Sequence, residues 1–175
     1  VQVFCKPRLA GVYSMTVSGV VRAPRAAVYR ALLDPAAVAR WRTPDDMSAE
    51  VHEFEPREGG AIRVSLTYDD PARGGKSAGS TDTYAGHFER LVPDEQVVEV
   101  IEFETDDAGL RTPMTMTTTL RDVDGGTEVE LRHDGIPDAV PADDNETGTR
   151  MALANLAAFE ASGASIGVDL SGRTV

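Results

Sequence analysis

MTMTTTLRDVDGGTEVELRHD, residues 114–134, carries the pattern on which the fold turns. Met114, Met116 and Leu120 share one parity, as do Val129 and Leu131, while Glu128, Glu130 and Arg132 take the opposite one. Successive side chains of a strand point to opposite faces, so this is the mark of two strands with one apolar and one wet face. Asp124-Gly125-Gly126 between them supplies the backbone freedom of a tight turn, and the two strands therefore pair as an antiparallel hairpin.

The same chemistry extends upstream. From about Ser48 to Asp134 the chain is strand-like, interrupted by turn residues at Arg57-Glu58-Gly59-Gly60, Asp69 to Ser80, Pro93-Asp94 and Asp106 to Gly109. Connections this short leave no room for crossover helices, so six successive strands are expected to pair as a meander. Ile62, Val64, Leu66 and Tyr68 again share one parity. Val97 to Phe103 is apolar on both parities, which suggests a central strand covered on both sides or a bulge. Asp69 to Ser80, with three glycines and a proline, is the longest connection and the segment expected to move most.

Outside the meander, Met15 to Arg22 reads as a further strand, closed by Ala23-Pro24. Ala27, Val28, Ala31 and Leu32 then recur at helical spacing until Asp34-Pro35 interrupts, and a second short helical piece runs from Ala36 to Trp41. Downstream, Asn145 to Ser162 predicts the longest helix, with Asp143, Asp144 or Asn145 as its cap and Gly163 as its stop. At 1.5 Å per residue it would span roughly 27 Å, enough to cross a sheet. Met151, Leu153, Leu156 and Phe159 lie on a broad apolar side, to which Ala152, Ala154, Ala157, Ala158 and Ala161 are also assigned. The class is therefore α+β: about seven antiparallel strands, two short helices after the first, and a long C-terminal helix covering the apolar face. The expected organisation is an extension over residues 1–14, one domain over 15–163 and a tail over 164–175.

Composition narrows the function. The 175 residues are 41% apolar, enough for one core. Acidic residues outnumber basic ones by 29 to 17, and a formal charge of -12 argues against nucleic acid or an anionic membrane as partner. No run approaches the ~18 apolar residues of a membrane span, and Val1 to Ser14 is too broken by Lys6, Pro7 and Arg8 for a signal-peptide core. The single cysteine, Cys5, has no intrachain partner, so a disulfide or cysteine-based zinc site is not expected and a cytoplasmic location fits best.

Five short motifs, in order, carry a family resemblance. Ala23-Pro24 followed by Val28-Tyr29, Trp41 after the second helix, Arg57-Glu58-Gly59-Gly60-Ala61-Ile62-Arg63, Gly86 and Phe88 ahead of Pro93-Asp94-Glu95, and TEVELRHDGIP at 127–137 together resemble the stand-alone bacterial relatives of the activator of Hsp90 ATPase. The resemblance covers about residues 16–162 and implies the helix-grip fold of the START-like superfamily. One position departs from it: the family usually reads Gly-Trp ahead of its last helix, where this chain has Gly148-Thr149. The resemblance implies an apolar small molecule enclosed between sheet and long helix, without a cofactor. It also implies two alternatives, a polyketide cyclase or aromatase-like or hydrolase-like enzyme, and a protein acting on a chaperone. The 175 residues are expected to leave no space for the separate chaperone-binding domain that eukaryotic co-chaperones carry beside this module. Self-association as a homodimer stays open.

Trp41, Tyr68, Tyr84, Phe88, Phe103, Met114, Met116, His133, Met151 and Phe159 are the candidate ligand-binding residues, being the large aromatic and sulfur side chains available to a cavity, with one imidazole. No catalytic set is assigned. His52, His87 and His133 lack metal-ligand spacing, and only His133 falls on the apolar parity, with Val129 and Leu131. If the protein were an enzyme, Tyr68, Tyr84, His87 or His133 would polarise a carbonyl. Gly74-Gly75-Lys76-Ser77 ends like a phosphate-binding loop but joins two strands, so it reads as a hairpin connection.

Overall fold

The structure, a computed structural model, describes residues 11–163. Its elements run β1 (Val12–Val21), α1 (Arg25–Leu33), α2 (Pro35–Trp41), β2 (Met47–Phe54), β3 (Ala61–Tyr68), β4 (Thr81–Val92), β5 (Gln96–Phe103), β6 (Met114–Val123), β7 (Gly126–Pro137) and α3 (Ala142–Ala161). Most of the expected extension, the tail and Cys5 lie outside the described residues. β1 begins at Val12, ahead of the expected Met15, and Tyr13 donates its hydroxyl to the Val140 carbonyl at 2.9 Å. Residues 12–14 therefore belong to the domain.

The seven strands form one antiparallel sheet in the order β1-β7-β6-β5-β4-β3-β2. β2 to β7 are a meander, as the short turns require, and β1 closes the far edge against β7. Gly125 at the β6–β7 turn sits at φ 84, the left-handed region that a side chain disfavours. Register shifts at Tyr13/Met15, Val51/Glu53 and Phe88/Arg90 mark bulges, each of which bends its strand and adds curvature to the sheet.

The alternation predicted for β3, β6 and β7 holds: Ile62, Val64, Met114, Leu120, Val129 and Leu131 are all buried. β5 resolves its mixed pattern by turning Val97, Glu99 and Ile101 inward and leaving Val98 and Val100 half-buried on the outside. Glu99 is thus a carboxylate on the core face, 1% exposed.

α1 and α2 cover one end of the inner face and α3 crosses the rest. Asp34 accepts from the Ala36 amide and so caps α2, with Pro35 at its first turn. α3 begins three residues earlier than predicted, with Pro141 at the cap and Asp143 and Asp144 in the first turn, where acids suit the helix dipole. Its inward face is Thr149, Ala152, Leu153, Leu156 and Phe159. Ala154, Ala158 and Ala161 point to solvent, so the expected alanine-lined inner face is corrected to one helical stripe containing Ala152, with Ala157 at its margin.

Candidate functional site

The inner face has a filled end and a hollow end. At the filled end Phe88 is fully buried, edge-on to Phe54 with ring centroids 5.3 Å apart. Leu32, Val38 and Val97 are buried in the same core, and none of them lines the cavity. At the hollow end, between the sheet and the first half of α3, lies a cavity of about 420 Å³.

Small residues on the helix leave this space. Gly148 lines it, and a Cβ built on Gly148 would meet nothing within 4 Å. Thr149, 7% exposed, lines it too and turns its hydroxyl back to the Asn145 carbonyl at 2.8 Å. The position where the resembled family carries tryptophan is therefore a cavity wall in this chain. The opposite wall is apolar: Ile101, Phe103, Met114, Met116, Leu131 and Ile136. Two flexible methionines among them let such a wall adjust to its contents.

Eight of the ten predicted candidates line the cavity: Trp41, Tyr68, Tyr84, Phe103, Met114, Met116, His133 and Met151. Phe88 and Phe159 do not. Phe88 belongs to the filled end, and Phe159 lies in the last turns of α3 beneath the Arg40 guanidinium, 5.2 Å from its ring. The Trp41 indole N–H is already given to the Ala31 carbonyl at 3.0 Å, so Trp41 offers the cavity only ring surface. His52 and His87 sit on other surfaces, against Ser65 and Glu89.

A polar group set into this apolar wall escaped the sequence reading. Arg42, the residue after Trp41, reaches over the sheet and pairs with both oxygens of Glu99, Nη1 to Oε1 at 3.0 Å and Nη2 to Oε2 at 2.9 Å. This two-pronged pair is what permits two charges to be buried, since each neutralises the other and the geometry satisfies both carboxylate oxygens. Burial alone would lower the Arg42 basicity, but the Glu99 charge and hydrogen bonds more than offset it and hold the guanidinium protonated. Its plane also packs 5.0 Å from the Trp41 ring.

Among the described residues the buried Tyr84 hydroxyl and Arg42 Nε have no partner beyond each other, and the two side chains are coupled, the guanidinium acting as donor to the tyrosine oxygen. Tyr84 is 6% exposed and lines the cavity beside the Arg42–Glu99 pair. Burial raises its hydroxyl above the usual tyrosine range, with the Arg42 charge opposing. Register places Glu99 across from Met116, and Met116 across from His133, so the imidazole belongs to the same inner row. Burial, reinforced by the Arg42 charge, pushes His133 down to about 4, leaving a neutral ring at pH 7.

The mouth is closed on one side by the connection between β3 and β4. Arg73 bonds Asp46 and stacks over the Tyr68 ring at 4.4 Å, and Lys76 Nζ bonds Asp82 at 2.6 Å above the Phe103 ring. Gly75 is required in this loop, because a Cβ there would lie 2.3 Å from the Thr81 carbonyl oxygen. Gly74 to Ser77 is thus a hairpin connection, as expected, and these contacts tie down the segment expected to move most. Among the described residues no group of three or more His, Cys, Asp or Glu could hold a metal ion, and no helix is long and apolar enough to cross a membrane.

Comparison with known proteins agrees with the topology. The family model described as activator of Hsp90 ATPase homolog 1-like protein matches residues 22–160. A crystal structure from Chromobacterium violaceum is 33% identical, superposes with a TM-score of 0.74 and covers 83% of this chain and 95% of its own. One from Rhodobacter sphaeroides is 22% identical, with a TM-score of 0.72 and coverage of 88% and 95%. The solution structure of an AHSA1-like protein from Aeromonas hydrophila is 18% identical, with a TM-score of 0.66 and coverage of 86% and 94%. No curated protein matches the chain.

Proposed function

The chain belongs to the activator of Hsp90 ATPase homolog 1-like family, and from that premise we propose that it is a binding module for an apolar or aromatic small molecule held between its sheet and α3. The observation that carries this reading is the cavity of about 420 Å³, a size suited to a drug-sized ligand, set in a core that is otherwise filled. Close-packed interiors do not leave such a space beside Met114, Met116 and Leu131 without a use for it. Chemistry on a bound carbonyl is the second reading, favoured by one observation: the unprotonated imidazole of His133 shares the cavity with the Tyr84 hydroxyl.

Filling the cavity separates binding from folding. N-phenyl-1-naphthylamine, an uncharged probe that fluoresces in apolar surroundings, should be taken up at one equivalent by the native chain. Thr149→Trp places an indole in the hollow and should abolish uptake while the melting temperature stays within a few degrees. Absence of uptake by the parent chain, or strong destabilisation of Thr149→Trp through overpacking of about 1–3 kcal/mol, would show an interior closed to ligands.

A further inference from the structure

The polar atoms of the cavity specify more than its apolar wall does. Arg42 has only N–H groups to offer, and one hydrogen each of Nη1 and Nη2 is already given to Glu99. Its Nε–H and the Tyr84 hydroxyl are both buried, and among the described residues each has only the other to turn to. Turning the two toward each other cannot cure this. The tyrosine oxygen could accept from Nε, but the hydroxyl proton would still have nowhere to go, since both groups have a hydrogen to give. The cavity therefore has one donor left over, the Tyr84 hydroxyl proton, and a buried donor left unmade is destabilising.

Charge is balanced around the same space. Each cation lining it among the described residues has its own carboxylate: Arg42 with Glu99, Arg73 with Asp46, Lys76 with Asp82. His133 adds no charge at neutral pH. Asp144 is the one further charged residue of the lining, at the exposed N-terminal turn of α3. An anionic ligand would bring a charge that no spare cation meets, and a cationic one would find its counter-charge only at the rim.

We propose that the ligand is an uncharged, mainly apolar molecule bearing a carbonyl oxygen, which accepts a hydrogen bond from the Tyr84 hydroxyl while its body lies on the Met114, Met116 and Leu131 wall. This rests on the binding reading above and names the chemical class that such a site takes. The carbonyl oxygen has lone pairs and no proton, so it fits a surplus donor; a hydroxyl ligand would satisfy that donor only by adding another of its own. Glu99 holds the guanidinium by its two Nη groups beside the tyrosine.

Three matched pairs of probes test this: acetophenone with ethylbenzene, benzophenone with diphenylmethane, and anthrone with dihydroanthracene, each ketone against the hydrocarbon in which a methylene replaces the carbonyl. Diphenylacetate serves as the anionic comparison. Dissociation constants would be measured by calorimetry for the full chain and for Tyr84→Phe, whose melting temperature confirms that it is folded. At least one ketone is expected to bind about tenfold more tightly than its hydrocarbon, the yield of a hydrogen bond to a buried donor. Tyr84→Phe should erase most of that difference, the readout being the ratio of the two constants within each pair. Equal binding of ketones and hydrocarbons would overturn the carbonyl assignment while leaving the binding reading intact, as would a preference for diphenylacetate. If no probe of any pair binds, both fall together.

Discussion

At the scale of single residues, His133 turns the cavity into a source of acid sensitivity. Its folded value of about 4 lies below the unfolded value of 6.5, so the folded state resists a proton that the unfolded state accepts. The contribution is fully present above pH 6.5 and is lost progressively as the pH falls toward 4. Over that window it amounts to roughly 3 kcal/mol, if the whole difference is expressed. The charged groups acting on the ring are Arg42, which opposes protonation, and Glu99 and Asp134, which favour it, and burial outweighs them all. His133→Gln should show a flatter stability curve between pH 6.5 and 4 by denaturant titration; an unchanged slope would mean that the ring is hydrated in the native state. Glu99 could have been suspected from sequence, as the one acid on the inward parity of a strand that otherwise turns Val97, Ile101 and Phe103 inward. Its partner could not. Arg42 is 57 residues away on another element, and no local period marks a pairing of that kind.

At the scale of elements, α3 shows why its position was legible and its facing was not. A long helix with two leucines and a phenylalanine at helical spacing must bury that stripe. Alanine has too little apolar surface to say which side it prefers, so Ala154 and Ala158, expected on the inner side, face water. Strands are easier, because their period of two leaves only two choices and one polar residue settles them. The orientation observed for α3 carries its own prediction. Gly148 sits in the helix interior with open space where its Cβ would be, so Gly148→Ala removes backbone freedom from the unfolded chain without creating a clash. It should stabilise the protein by about 0.5–1 kcal/mol, raising the midpoint of thermal unfolding by a few degrees. A lower midpoint would place a neighbour within reach of that methyl group. Ala154, being exposed, is no probe of the interior at all.

At the scale of the whole molecule, the hairpin chemistry made the meander readable: every turn from β2 to β7 is written locally. The membership of Val12, Ser14 and Tyr13 in β1 is set by their register with β7 and by the reach of the Tyr13 hydroxyl to Val140, 127 residues along the chain, and nothing within the first fourteen residues could announce it. That same long-range join orders events in time. β2 to β7 can zip as successive neighbours, each closing a short loop, whereas β1 must find β7 across about a hundred intervening residues and pay a larger closure entropy before any contact rewards it. β1, ahead of the other described strands in the chain, is therefore expected to dock last, with its contacts absent at the folding barrier. Val17→Ala in β1, a buried site paired with Leu131, should speed unfolding by most of its destabilisation of about 2 kcal/mol and leave the refolding rate nearly unchanged. Val97→Ala in β5 should instead slow refolding. Stopped-flow chevrons of the two variants would show opposite limbs displaced, and a slowed refolding limb for Val17→Ala would mean that the edge strand takes part in the nucleus rather than sealing it.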